Sequence, residues 1–457
     1  MVSTPFINGP GSHLSSGSQR EYPFGLSRLS SLVPKEIEKQ VLDMNLSLDP
    51  WAELKGVLET FGPDVIALSF RNLDPLAGHQ ASYLSSLKTT AILVRTLAPK
   101  ARILAGGPAF SLFGKRLMAE VLQIDIGLAG EGELVFPKLI QPALLPDKIP
   151  GILWRNKNQV VSNPPGPKIS MDNIPQMDTA AFCPKDYAKA NTYVAAMGIE
   201  GKRGCDLCCG YCLYPFLGGT CMRLRSPSKI VDEMERLHKE FGIQLFHFTD
   251  SVVNRPSDHF EQLCCELIRR KLTLTWTGFF REDSITSQNL TLALKAGLGA
   301  VYFSGDALTR HGLNLLNKRL TPEDILSASK LTAENKILTM CHFLVNLPGE
   351  EEKEIKEARK MLDQLLSIHG PAGNLGAVIF NHVRLYPNAP MTRHLIRSGD
   401  LDPNTDLLYP VYHNPVKFNH ILHEFESRCH SAGVFSRLEL TPLGLPPGPN
   451  TQNDTNI

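Results

Sequence analysis

Cys205, Cys209 and Cys212 stand at the spacing C-x3-C-x2-C, with Tyr211 directly before the last of them. Three thiolates on so short a loop can hold three irons of a cubane cluster and leave the fourth open, whereas an electron-carrying cluster is closed by a fourth cysteine. An open iron can bind a substrate. Cys208 permits a second parse, two abutting C-x2-C pairs made of Cys205/Cys208 and Cys209/Cys212. Such pairs suit tetrahedral zinc, but structural zinc sites separate their pairs by a loop so that four sulfurs converge. Spacing and ligand softness favour iron–sulfur chemistry over zinc and over a buried cluster of non-ligand cysteines. Cys208 is then a bystander that packs as a small hydrophobe.

Residues that hold such a loop need a scaffold. The 457 residues exceed what one core usually holds, so two large domains, or two and an appendage, are expected. With 47 basic against 46 acidic residues the net charge is +1, and no basic stripe marks a nucleic-acid partner. Ten cysteines and no secretory segment point to a reducing compartment, the cytoplasm. No apolar run approaches the roughly 20 residues of a membrane-spanning helix. The Pro-, Asn- and Gly-rich residues 441–457 are expected to be a disordered tail.

From about residue 39, strand patterns at 40–44, 64–69, 102–105 and 125–128 alternate with helical ones at 50–60, 82–97, 113–122 and from about 133. This rhythm predicts βαβ units and a doubly wound parallel sheet, which binds ligands at the carboxyl ends of its strands. Those ends carry Arg71 and Asn72, then Gly106 and Gly107, then Gly130, Glu131 and Gly132. Glycine lets backbone approach a bulky ligand, although βα turns also use it for geometry alone. A strand at 193–199 precedes the cysteine loop and the rhythm resumes after it, giving six βα units. Six such units predict an open, partial barrel with active groups at the strand C-terminal ends.

The cysteine spacing, Tyr211 and these strand ends resemble cobalamin-dependent radical S-adenosylmethionine (SAM) enzymes, class B methyltransferases above all, with some similarity to tryptophan 2-C-methyltransferases. The resemblance implies an α/β chain: a Rossmann-like, doubly wound cobalamin-binding domain over residues 1–150, a linker over 151–190, a partial (β/α)6 radical SAM barrel over 191–390, a small extension over 391–440 and the tail. It implies a 4Fe–4S cluster on Cys205, Cys209 and Cys212 whose open iron chelates SAM, and an electron donor such as flavodoxin or ferredoxin. One electron from the cluster would release a 5′-deoxyadenosyl radical. A methyl group would pass from SAM via methylcobalamin to a carbon centre of a small-molecule or peptidyl substrate. Tyr211, Asp250, Arg281, Glu282, Ser304 and the turn Pro348-Gly349-Glu350 would contact SAM, with Asp250 standing where the family often has Gly-Gly-Glu. Arg71, Asn72, Gly106, Gly107, Gly130, Glu131 and Gly132 would contact cobalamin.

Two departures matter. The first domain has no D-x-H-x-x-G triplet, so the lower cobalt face would lack a histidine ligand. Arg71 lies where related enzymes place a side chain beneath the corrin, and a guanidinium has no free lone pair with which to ligate cobalt. It would leave that face open or water-bound; alternatively, Arg71 caps a strand end or pairs with Asp74. The usual first strand is reduced to residues 4–8, close to Met1. Each acidic candidate, Asp306 beside Ser304 included, has the alternative of capping a helix. Tyr409, Tyr412, His413 and His420, beyond the barrel, either close over substrate or pack. Two rival functions stay open: a rearranging or cyclising enzyme of the same cofactor class, and a non-enzymatic cobalamin- or metal-binding sensor.

Overall fold

The computed structural model describes residues 1–3, 21–74, 82–157, 159–188, 195 and 197–436, which fall into two compact units with the boundary after residue 196. The first unit runs β1 (Val2–Ser3), α1 (Phe24–Ser31), β2 (Leu42–Asp43), α2 (Pro50–Phe61), β3 (Val65–Ser69), α3 (Leu84–Leu97), β4 (Arg102–Gly106), α4 (Pro108–Glu120), β5 (Ile126–Leu128), α5 (Phe136–Leu139), β6 (Ile152–Asn156), β7 (Gln159–Ser162) and α6 (Pro184–Tyr187). One sheet takes the order β2-β1-β3-β4-β5-β6-β7, with β1 to β5 parallel and the last two antiparallel. Local chemistry sets the helices. At α2, the Asp49 carboxylate accepts the Ala52 N–H at 3.0 Å, Pro50 opens the first turn and Gly62 ends it in the left-handed region.

The strand order of the parallel part reverses between β1 and β3, and doubly wound sheets open a ligand crevice at such a switch point. The described first strand is Val2–Ser3; the strand expected at residues 4–8 lies outside the described residues. Residues 151–190 are not simply a linker. The β6–β7 hairpin extends the first sheet, and Arg155 ties it to α4 by donating to the Met118 and Val121 carbonyls. A cation on a helix C-terminus complements its dipole, a pairing that linear spacing does not reveal. The helix expected from residue 133 shortens to the single turn of α5 because Pro137 fits only its start.

The second unit contains β8 (Gly198–Ile199), β9 (Lys202–Arg203), α7 (Tyr214–Gly218), β10 (Arg223–Leu224), α8 (Pro227–Phe241), β11 (Leu245–Phe248), α9 (Ser257–Arg270), β12 (Thr275–Phe280), α10 (Ser287–Lys295), β13 (Leu298–Asp306), α11 (Arg310–Leu315), α12 (Pro322–Glu334), β14 (Leu338–Leu344), α13 (Glu352–His369), β15 (Leu375–Asn381), β16 (Val383–Arg384), α14 (Pro390–Ser398), β17 (Tyr412–His413) and α15 (Ile421–Ser431). Six parallel strands stand in chain order, β8-β11-β12-β13-β14-β15, and among the described residues the first and last do not pair. This is the expected open, six-stranded arrangement. Capping boxes at Thr286/Asn289 and Thr321/Asp324 start α10 and α12. Trp276, Phe248, Phe260 and Phe280 interlock edge to face or stacked in the core. The extension belongs to this unit: β17 pairs with β16, and Phe425 of α15 meets Phe380 of β15 with ring centroids 5.4 Å apart. Among the described residues no helix is long and apolar enough to cross a membrane.

Candidate functional site

The cysteine loop joins β9 to α7. Cys205 and Cys209 are buried with Leu207 and Val252 in one apolar cluster, against which Tyr211, Cys212 and Met222 pack. Cys208 stands outside it, exposed and left-handed at φ +50°, rather than packed as a small hydrophobe. Backbone bonds fix the loop: the Gly219 carbonyl accepts from Cys205 at 3.0 Å, the Leu316 carbonyl from Gly210 at 2.7 Å, and the Gly210 carbonyl from Met391 at 2.9 Å. Gly204 permits this, since a Cβ there would stand 2.3 Å from the Cys221 carbonyl oxygen. Burial pushes the Cys212 thiol up to about 12 and raises Cys209 as well, so cluster binding must displace their protons. Among the described residues no three His, Cys, Asp or Glu converge on the place of a single ion. A cubane takes each thiolate on its own iron, and the three grouped sulfurs of one loop fit that demand.

The strand ends surround this loop with buried polar groups. Tyr211 donates its hydroxyl to Asp306 at the end of β13, and the Lys318 ammonium lies 2.5 Å from the same carboxylate oxygen. Glu282, after β12, is buried and its Oε1 has no hydrogen-bond partner among the described residues. Burial raises its carboxyl to about 7, against the pull of Lys318. A buried acceptor without a partner is costly unless a ligand supplies one. Four non-glycine residues here, Cys208, Asp306, Asn317 and Arg319, hold left-handed backbone, a conformation that concentrates at functional sites.

Other expected SAM contacts have protein partners. Asp250 is buried and accepts the Gly201 and Lys202 N–H groups at 2.8 and 3.1 Å, with the Lys202 ammonium at 3.9 Å, so it fastens the chain leading into the loop. Arg281 gives Nε to Asp283 and Nη2 to the carbonyls of Lys318 and Arg319 at 2.7 and 3.0 Å. In the turn Pro348-Gly349-Glu350, the Glu350 carboxylate accepts from Thr309 Oγ1 and Leu347 N–H, both at 2.9 Å, and Gly349 has φ +76°. Ser304 is half-buried on β13.

In the first unit, Arg71 follows β3 beside the switch point; its guanidinium pairs with Glu21, not with Asp74 as the alternative reading had it. The side chains are 46% and 28% exposed, so the contact is a surface ion pair that costs little to exchange. Asn72 follows directly. The glycines divide by role. A Cβ on Gly107 would stand 2.6 Å from the Phe70 carbonyl oxygen, so its glycine serves packing, and a Cβ on Gly132 would stand 3.1 Å from the Leu29 side chain. Gly106 has ordinary room. Gly130, at φ +102°, has no described residue within 4 Å of a Cβ position and leaves room for a ligand to approach. The Glu131 carboxylate accepts the Ile169 N–H at 3.0 Å. Sequence reasoning missed Lys318, Glu21 and Ser111, whose hydroxyl accepts the Gly130 N–H at 2.9 Å. Lys318 sits between Asn317 and Arg319 in a run that reads as an exposed polar turn.

Residues 199–362 match the Radical SAM superfamily. The chain is 23% identical to an uncharacterized methyltransferase of Pyrococcus horikoshii over 347 residues, 75% of this chain and 73% of the relative. It is 28% identical over 285 residues to the anaerobic magnesium-protoporphyrin IX monomethyl ester cyclase of Rubrivivax gelatinosus, covering 59% of this chain but half of the cyclase. Its fold is similar to that of the radical SAM methyltransferase TsrM from Kitasatospora setae, solved with cobalamin and a 4Fe–4S cluster (TM-score 0.74, 22% identity, 91% of this chain and 82% of that one) and also with tryptophan and a SAM analogue. With its three-cysteine loop at the head of a six-stranded parallel sheet, the chain carries a radical SAM domain and shares its fold with a cobalamin-bound methyltransferase.

Proposed function

We propose that this protein is a cobalamin-dependent radical SAM methyltransferase acting on a carbon centre of a small-molecule or peptidyl substrate. The observation that carries the reading is the cysteine loop: Cys205, Cys209 and Cys212 share one apolar nest while Cys208 faces out. The switch point with Arg71, and the open cradle at Gly130, support a cobalamin site in the first unit. When bound, the cluster and SAM supply one-electron cleavage of the sulfonium, and cobalamin supplies a methyl carrier. The chain's part is positioning. Cys205, Cys209 and Cys212 hold the cluster, Tyr211 anchors the loop through Asp306, and Glu282 offers SAM a buried acceptor. Arg71 holds a positive charge at the cobalamin crevice without ligating metal. An external one-electron donor of the flavodoxin or ferredoxin type completes the system.

The test is anaerobic reconstitution with methyl-labelled SAM and cobalamin. Expected products are S-adenosylhomocysteine and label transferred out of SAM; release of neither S-adenosylhomocysteine nor 5′-deoxyadenosine would favour a sensor. The similarity to the Rubrivivax cyclase favours one second reading, a ring-forming enzyme of the same cofactor class. Substrate converted without gain of the labelled methyl would select it.

A further inference from the structure

Three consecutive residues lie along the cysteine loop. The Leu316 carbonyl accepts the Gly210 N–H at 2.7 Å, Asn317 Nδ2 donates to the Cys208 carbonyl at 3.2 Å, and Lys318 holds Asp306 at 2.5 Å. The segment is fixed from behind, because Arg281 binds the carbonyls of Lys318 and Arg319. Lys318 is only 5% exposed and Asp306 only 6%. Tyr211, directly before Cys212, donates to that same Asp306 carboxylate, so the ion pair stands against the cysteine loop. Two charges of opposite sign thus act on the cluster-bearing cysteines from a water-poor position, where fields are strong and weakly screened.

We infer that Lys318 and Asp306 set the reduction potential of the cluster, Lys318 raising it and Asp306 lowering it. The inference rests on the cluster reading of Cys205, Cys209 and Cys212. Reduction adds one electron, taken from an external one-electron donor, and no bond is made or broken. The added negative charge is stabilised by a nearby cation and opposed by a nearby anion, and net local charge is among the factors that place cluster potentials. Tyr211 shares Asp306 but carries no charge, so its share in the arrangement is to position the loop. Lys318 and Asp306 are therefore tuning residues, and a tuning role is separable from a structural one by sign. Loosening the loop would move the potential the same way whichever partner is lost, whereas removing charges of opposite sign moves it in opposite directions.

The experiment uses the full chain, reconstituted anaerobically without SAM, with iron counted and the reduced cluster followed by electron paramagnetic resonance during titration with dithionite and mediators. Lys318→Met should lower the midpoint enough to change the reduced-to-oxidised ratio about tenfold at a fixed potential, about 59 mV for a one-electron couple. Asp306→Asn should raise it, Lys318→Arg should restore the parent value, and Tyr211→Phe should move it least. If Lys318→Met holds no iron, the double variant Lys318→Met/Asp306→Asn takes its place. Having lost both charges, it should titrate near the parent, and a large shift there would count against tuning. Shifts of the same sign in Lys318→Met and Asp306→Asn, or no shift in either, overturn the inference alone. A parent that takes up no 4Fe–4S cluster overturns the cluster reading with it.

Discussion

Tyr211 donates its hydroxyl to Oδ2 of Asp306, the oxygen that also receives the ammonium of Lys318. One residue of the cysteine loop is thereby tied to the end of β13, 95 residues later in the chain. The aromatic beside Cys212 is thus an anchor as well as a packing group, and it places the loop at the carboxyl ends of the parallel strands, where such folds do their chemistry.

The grouping of the thiols leads to the first prediction. Cys205→Ala, Cys209→Ala and Cys212→Ala should each abolish the 4Fe–4S chromophore, because each removes one iron's protein ligand. Cys208→Ala should keep it, since Cys208 is exposed and apart from the buried group. Iron per chain and visible absorbance after anaerobic reconstitution check both halves. A cluster retained by Cys209→Ala or lost from Cys208→Ala would mean that the ligand set is wrong.

The glycines of the first unit should separate folding from binding. Gly107→Ala combines a left-handed backbone with a Cβ 2.6 Å from the Phe70 carbonyl oxygen. It should destabilise the unit by about 1–3 kcal/mol for the backbone and a similar amount for the clash. Gly130→Ala meets open space and should cost only the backbone part, about 1–3 kcal/mol, while weakening cobalamin binding. Thermal unfolding and cobalamin titration report the two effects. Equal cobalamin affinity in Gly130→Ala and the parent would remove Gly130 from the site.

Arg71 would link one residue to the state of cobalt in the proposed cobalamin site. Arg71→His offers a ring nitrogen to the lower face and should introduce axial superhyperfine splitting in the cobalt(II) spectrum, absent from both the parent and Arg71→Leu. The added axial bond should slow single-turnover methyl transfer roughly tenfold, equivalent to about 1.4 kcal/mol of barrier. If all three proteins give the same spectrum and rate, Arg71 is no more than the surface partner of Glu21.

A pH effect should come from His382, between β15 and β16. Burial, with His413 and His423 adding like charge, lowers His382 to about 4, so the folded chain resists a proton that the unfolded chain accepts. Between pH 6.5 and 4 the unfolded state binds more protons, and stability must therefore fall as pH falls, by at most about 3 kcal/mol from this group. Above 6.5 the contribution is constant. His382→Gln should flatten the acid limb of the melting temperature across that window. An unchanged limb would place the titration elsewhere.

Much of the architecture was legible because it rests on local patterns. The helix at 50–60 and the strands at 64–69 and 102–105 fall where the apolar periodicity put them. The β6–β7 hairpin was missed because its place in the first sheet depends on β6 pairing antiparallel with β5, a contact linear spacing does not reveal. Asp250 and Arg281 were correctly placed at strand ends, but their hydrogen bonds to distant backbone were invisible.

The sequence by itself determined the cysteine spacing, the alternation of strands and helices in both units, and therefore the chemistry that three thiolates and a parallel sheet can support. Those features depend on residues close in the chain, where spacing alone carries the information. Only the tertiary structure decided that Cys208 faces away, that the buried Glu282 keeps an acceptor without a partner among the described residues, and that Lys318 and Asp306 stand against the loop. Each of these depends on segments from different strands meeting at one place, where burial strengthens charges and leaves polar groups to find partners that the order of residues does not name.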